Sequence, residues 1–171
     1  MKGLVHIYTG DGKGKTTAAV GLAVRAAGVG KHVLFVQFLK GRATGEIQSL
    51  RKIGVEVIRT ENVTKFIPYM TSKEFEQCRL SHQTCFKAVC EAAAAFDVLI
   101  LDEAMGAIST GMISLEEILE FIAKKPESTE LLLTGRDAPL QLIELADYVC
   151  EIKSIKHPYE KGVSAREGIE Y

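Results

Sequence analysis

Leu4-Val5-His6-Ile7-Tyr8-Thr9-Gly10-Asp11-Gly12-Lys13-Gly14-Lys15-Thr16-Thr17 passes from an apolar run through a glycine-rich bend into an alanine-rich segment. Leu4–Tyr8 reads as a strand and Thr16–Ala27 as a helix ended by Gly28. A bend of this composition between a strand and a helix is the setting of a phosphate-binding loop. Gly10, Gly12 and Gly14 let successive N–H groups point into one concavity. The helix adds its N-terminal dipole and unpaired N–H groups. Lys15 supplies a point charge for phosphate oxygens, and the Thr16 hydroxyl can ligate Mg²⁺. Asp11, Lys13 and Thr17 complete the nucleotide-binding set with these glycines. The common pattern opens on glycine where this chain has Thr9.

Working outward, short apolar runs alternate with helical patterns. Val33–Phe38, Val55–Ile58, Val98–Leu101 and Leu131–Thr134 read as strands. Tyr148–Ile152 and Val163–Tyr171 read as strands or edge segments. Glu46–Ile53 is a short helix ended by Gly54. Thr60–Met70 carries Pro68 and no clear period. Thr71-x-x-Glu74 opens a long helix to about Ala95, and Ser114-x-x-Glu117 opens another that closes before Pro126. Asp137 can cap a further helix with Pro139 in its first turn. This alternation predicts a doubly wound α/β fold with a mostly parallel sheet around a P-loop nucleotide-binding, recombinase-like core. At 171 residues the chain is expected to form a single domain, 1–171.

Val98–Leu101 ends in Asp102-Glu103. An acid at a strand tip beside a phosphate loop holds Mg²⁺ directly or through water. Side chains alternate along a strand, so Asp102 and Glu103 cannot both face the metal from extended backbone. One ligates, and the other orients a water or a ligand or caps the next helix. Arg136 follows Thr134-Gly135 at the next strand tip, where it clamps phosphate or stays in a surface ion pair. Cys78, His82 and Cys85 share a helix face, but Cys78 and Cys85 stand roughly 10 Å apart along the axis. One ion with Zn–S bonds of about 2.3 Å does not easily reach both, so the three read as packed residues.

Lys plus Arg is 21 and Asp plus Glu is 22, a balance that argues against a large nucleic-acid or membrane-surface footprint. The apolar run at the N-terminus is too short for a signal peptide, and no stretch approaches the ~20 apolar residues of a membrane span. These features lead to the expectation of a cytoplasmic protein without nucleic-acid or membrane partners. The residues alone leave open a nucleoside kinase-like phosphotransferase and an ATP-binding regulatory module.

Tyr8–Ala19 resembles the opening of the corrinoid (cobalamin) adenosyltransferases of the P-loop family. Val36-Gln37-Phe38-Leu39-Lys40-Gly41, Asp97–Glu103, Leu133–Pro139 and Ala146-Asp147-Tyr148-Val149 resemble further blocks of that family. So does the tail, Ile155-Lys156-His157-Pro158-Tyr159-x-x-Gly162 with Ala165-Arg166-x-Gly168-Ile169-Glu170-Tyr171. The likeness is weakest from about Glu61 to Glu91. It implies transfer of the 5′-deoxyadenosyl group of ATP to the Co(I) of a reduced corrinoid with release of tripolyphosphate. It further implies Mg²⁺ (or Mn²⁺), a homodimer, a flavoprotein reductant, and a triphosphate lying reversed in the loop. Lys15 and Arg136 then become the catalytic pair that stabilises the leaving group. The family also implies an aromatic wall that displaces the lower axial ligand of cobalt. Better-known members carry Phe-x-Trp there; this chain has no Trp and offers Phe66-Ile67-Pro68-Tyr69. Phe66 and Tyr69 either form that wall or pack in the core. His157 is either a ligand contact or structural.

Overall fold

Continuous apolar runs along the central strands build two apolar faces, and the computed structural model shows helices covering both. It describes residues 2–41, 43–60, 63 and 65–171. Glu61, Asn62 and Thr64, in the aperiodic segment Thr60–Met70, lie outside the described residues. Six strands, β1 (Val5–Thr9), β2 (Val33–Gln37), β3 (Glu56–Arg59), β4 (Val98–Asp102), β5 (Glu130–Thr134) and β6 (Tyr148–Glu151), form one sheet in the order β3-β2-β4-β5-β1-β6. Every pairing is parallel. The helices are α1 (Lys15–Gly28), α2 (Gly45–Lys52), α3 (Ser72–Ala92), α4 (Ala104–Ser109), α5 (Leu115–Lys124) and α6 (Leu140–Leu145). Among the described residues, none is long and apolar enough to cross a membrane.

Because side chains alternate, each central strand serves both layers. Phe35, Val98, Ile100 and Leu132 pack with Ala19, Ala23 and Ala26 of α1 and Ile47 and Leu50 of α2. Leu34, Val36, Leu99, Leu101, Leu131 and Leu133 face the opposite way. They meet Phe86 and Val89 of α3, Met105 of α4, Phe121 of α5 and Leu142 of α6. Small alanines on α1 let that helix lie close to the sheet, which brings its N-terminus over the β1 and β4 tips. Asp102 continues the Val98–Ile100 face, so its carboxylate emerges on the α1 side.

Both capping boxes form. Thr71 Oγ1 accepts from Glu74 N and Glu74 Oε2 accepts from Thr71 N at 2.7 Å. Ser114 and Glu117 repeat the exchange. The long helix stops at Ala92 and tightens into a 3₁₀ turn, Ala93–Ala95. Two expectations fail. Asp137 does not cap α6: the chain turns through Gly135 (φ 147°) and Asp137 (φ 52°), and Pro139 takes the cap position without a side-chain bond. Val163–Tyr171 is not a strand. Gly162 and Gly168 adopt positive φ, and Arg166 pairs with Glu170 four residues on, curling the tail. Helix α4 escaped the sequence reading because six residues are too few to display a helical period.

Candidate functional site

The loop after β1 is locked onto the strand at the sheet edge. Ile152 N donates to Thr9 O at 2.8 Å and Gly12 N donates to Ile152 O at 2.7 Å. A Cβ on Gly10 or Gly12 would stand 2.5 or 2.7 Å from Ile152 O, so backbone-to-backbone contact explains both glycines. Gly14, at φ 123°, immediately precedes α1 and leaves that helix without a side-chain cap. Its first-turn N–H groups therefore remain directed to the cavity mouth. Lys15 is buried, and its Nζ donates to Gly10 O and, at 2.9 Å, to Gly12 O. Burial lowers its pKa, and Arg136 adds to the effect; Glu103, Asp11 and Asp102 oppose it.

Asp102 is fully buried and collects four donors. Oδ1 accepts from Thr16 Oγ1 and Thr134 Oγ1, each at 2.8 Å. Oδ2 accepts from Lys40 Nζ at 2.9 Å and from Gln37 Nε2 at 3.4 Å. The strand tip and the first turn of α1 thus share one carboxylate.

Glu103 does not alternate to the far face in the ordinary way. It sits at φ 63°, and its N–H donates to Thr134 Oγ1 at 3.0 Å. A non-glycine residue in the left-handed region costs of order 1–3 kcal/mol and marks a position held by its surroundings. Its carboxyl accepts no hydrogen bond among the described residues. Desolvation raises its pKa, and the neighbouring Asp102 charge raises it further. Ionised Glu103 is therefore a liability in the folded protein. The folded state holds its proton more tightly than the unfolded chain, so stability is full below the ordinary glutamate pKa and falls as pH rises through the higher folded value. Glu103→Gln removes that loss. Urea unfolding from pH 4 to pH 8 should show the variant gaining on the native protein as pH rises. Parallel curves, or a less stable variant at pH 8, would contradict this.

A cavity of about 760 Å³ unites these groups. Asp11–Thr17, Lys40, Glu46, Glu103, Arg136, His157 and Gly168–Tyr171 line it. Arg136 is exposed and forms no ion pair among the described residues. The curled tail lies along the loop: Glu170 pairs with Lys13 at 2.9 Å and with Arg166 at 3.1 Å. Hydrogen bonds from Arg166, then Lys13, hold the Glu170 pKa down at about 2. His157 lines the cavity while its Nδ1 accepts from Tyr159 N at 3.2 Å and caps the turn Pro158–Lys161. Phe66 and Tyr69 do not pack in the core. They are 81% and 75% exposed and stand outside the set lining this cavity.

Thr134, Gln37, Glu46 and Lys40 had not been assigned a role from sequence, and His82 was read only as a packed residue. Lys40 and Gln37 belong to the quoted block Val36–Gly41, the one signal that could have found them. No group of three or more His, Cys, Asp or Glu side chains converges among the described residues. Thr16 Oγ1 and Asp102 Oδ1, 2.8 Å apart, form a hard-donor set beside the buried Gln37 Oε1, which has no partner among the described residues. Such a set fits a small divalent cation that takes its remaining oxygens from water and phosphate.

The model of the family described as ATP:corrinoid adenosyltransferase BtuR/CobO/CobP matches residues 1–171. The corrinoid adenosyltransferase of Escherichia coli strain K12 is 34% identical over 171 residues, spanning 99% of this chain and 86% of that protein. Corrinoid adenosyltransferase CobA of Salmonella typhimurium strain LT2 is 35% identical over 173 residues, again 99% and 86%. The corrinoid adenosyltransferase of Pseudomonas aeruginosa PAO1 is 32% identical with similar coverage. A match running end to end, over a loop and acidic strand tip joined as described, settles kinship: the chain belongs to the ATP:corrinoid adenosyltransferase family.

Proposed function

We propose that this protein transfers the 5′-deoxyadenosyl group of ATP to the Co(I) of a reduced corrinoid, in adenosylcobalamin biosynthesis or salvage. The observation that carries the proposal is the family match across all 171 residues. The substrate cobalt supplies the electron pair that forms the Co–C bond to C5′. The C5′–O bond breaks, and tripolyphosphate leaves with its electrons. No protein nucleophile and no general base at carbon is needed.

The chain's own residues bind and neutralise. The loop from Gly10 to Thr16, with the Asp11, Lys13 and Thr17 segments, cradles the phosphates through the N–H groups other than that of Gly12, which donates to Ile152 O. Lys15 and Arg136 face the charge that grows on the leaving group. Thr16 and Asp102 hold Mg²⁺ (or Mn²⁺), and Glu103 orients its water shell or the ligand. The metal, when bound, withdraws negative charge from the phosphate oxygens. The buried carboxylate shared by Thr16 supports this assignment.

Phe66 and Tyr69 form the corrinoid wall. Their support is outward exposure on a turn, Ile67–Tyr69, while Ile67 and Met70 pack inward against the core. The homodimer and a flavoprotein reductant follow from the family alone; a cytoplasmic setting and one folding unit over 1–171 rest on the composition and length of the chain. His157 positions the tail against the ligand through its turn.

The deciding assay mixes the protein with ATP, Mg²⁺ and chemically reduced cobalamin. Adenosylated corrinoid and tripolyphosphate should accumulate in equal amounts. ADP as the nucleotide product would replace the proposal with a phosphotransferase, and tight ATP binding without turnover would replace it with a regulatory module.

A further inference from the structure

We propose that Lys40 is a resident counter-ion of the metal site, and that a divalent cation binds there by displacing its ammonium group. The inference rests on the proposed metal site at Thr16 and Asp102. Lys40 Nζ stands 2.9 Å from Asp102 Oδ2 and 3.2 Å from Thr16 Oγ1. Those are the same two residues a hard cation would use, and at metal–oxygen distances of about 2.1 Å there is no room for both charges. A monovalent cation supplied by the chain therefore balances a fully buried carboxylate whose ion-pair partner among the described residues is Lys40.

The placement of Lys40 is built, since three elements hold its backbone. Leu39 adopts φ 59°, an uncommon conformation for leucine. Its N–H donates to Nε2 of buried His82 on α3 at 3.2 Å. The tautomer is fixed because His82 Nδ1 donates to Cys78 O at 2.8 Å, and Phe38 stacks on the ring. From β3, Arg59 Nη2 donates to Lys40 O at 2.7 Å. On α4, Gly106 leaves the space filled by Leu39: a Cβ there would meet Leu39 Cδ1 at 2.8 Å. With the backbone pinned, only the four-carbon stem remains to swing, and it opens into the cavity that Lys40 already lines. Phosphate oxygens offer the ammonium a new partner there. Metal alone must break the Lys40–Asp102 pair and leave the lysine to water or to the Glu103 carboxylate across the cavity, whereas metal with ATP gives it phosphate oxygens in exchange. Lys40 thus couples cation binding to nucleotide binding.

The test follows Mn²⁺ binding to the full chain by the electron paramagnetic resonance of free Mn²⁺. Without nucleotide, Lys40→Met should bind Mn²⁺ at least tenfold more tightly than the native protein. ATP should tighten Mn²⁺ binding much less in the variant than in the native protein. A merely structural role predicts the reverse, weaker binding by the variant. Equal or weaker binding by a folded variant overturns the inference and leaves the metal site intact. No Mn²⁺ binding by the native protein even with ATP overturns the metal site and the inference together. A second measurement needs no variant: pulse acylation of native lysines with mass spectrometry. Saturating Mn²⁺ alone should raise Lys40 reactivity severalfold, and unchanged or lower reactivity overturns the inference.

Discussion

Lys15→Ala is expected to lower adenosyl transfer by about a hundredfold to a thousandfold, since the ammonium faces charge that develops only as tripolyphosphate departs. Single-turnover transfer to pre-reduced cobalamin measures it directly, free of the reductase step. Two features make the loss large. The ammonium is buried, so its field on a phosphate oxygen is poorly screened. It also bonds Gly10 O and Gly12 O, so its loss frees two loop carbonyls and loosens the bend itself. The fold should survive, because desolvation and Arg136 already disfavour the charge at this position. Lys15→Arg should recover little, as a planar guanidinium does not fit between two carbonyls that receive a compact donor. Full transfer by a folded Lys15→Ala protein would remove the loop from the reaction.

The strand–loop–helix core was legible because its signals are local. Gly10, Gly12 and Gly14 report backbone geometry, continuous apolar runs report strands covered on both faces, and Thr71/Glu74 and Ser114/Glu117 report helix starts. Sheet order was not legible in the same way, since pairing joins β1 to β5 and β6 across more than a hundred residues. At the site, Asp102 and Glu103 were found by position, but their difference was not. Alternation predicts opposite faces; the structure instead turns Glu103 into the left-handed region, which depends on Thr134 and the packing of α4. Lys40 was hidden for a related reason. A lysine beside a glycine reads as surface, and only the clamp from His82, Arg59 and Gly106 delivers it to Asp102. His82 looked like core and is core, yet its Nε2 fixes the backbone one residue from a charged group at the centre. The tail misled through its valine and isoleucine, which suggest a strand, while ion pairs of Glu170 decide its course.

Asp102→Asn is expected to have the second large effect and to separate two roles of one carboxylate. Asp102 accepts from Thr16, Thr134, Lys40 and Gln37. An asparagine of the same shape offers one oxygen; its N–H₂ group cannot face Lys40 Nζ and Gln37 Nε2, which have no lone pair to give, so it turns to Thr16 and Thr134 and forces those hydroxyls to accept. Breaking a buried ion pair by removing one partner costs about 3–5 kcal/mol. Lys40 is a quarter exposed and can turn to water, so a loss near or below the low end of that range is expected, about 2–3 kcal/mol in urea unfolding. Transfer should fall at least a thousandfold, because the substitution removes an anionic oxygen from the cation and misorients the Thr16 hydroxyl. ATP binding measured in EDTA should change little, while the gain in affinity from Mg²⁺ should vanish. A variant that keeps the Mg²⁺-dependent gain would place the cation elsewhere. The neighbouring position sharpens the contrast. Glu103→Gln should stabilise the protein at neutral pH, where Asp102→Asn destabilises it. Adjacent carboxylates of nearly the same chemistry thus carry opposite signs: Asp102 accepts from four donors that depend on it, whereas Glu103 is held in a desolvated, strained position and accepts no hydrogen bond among the described residues.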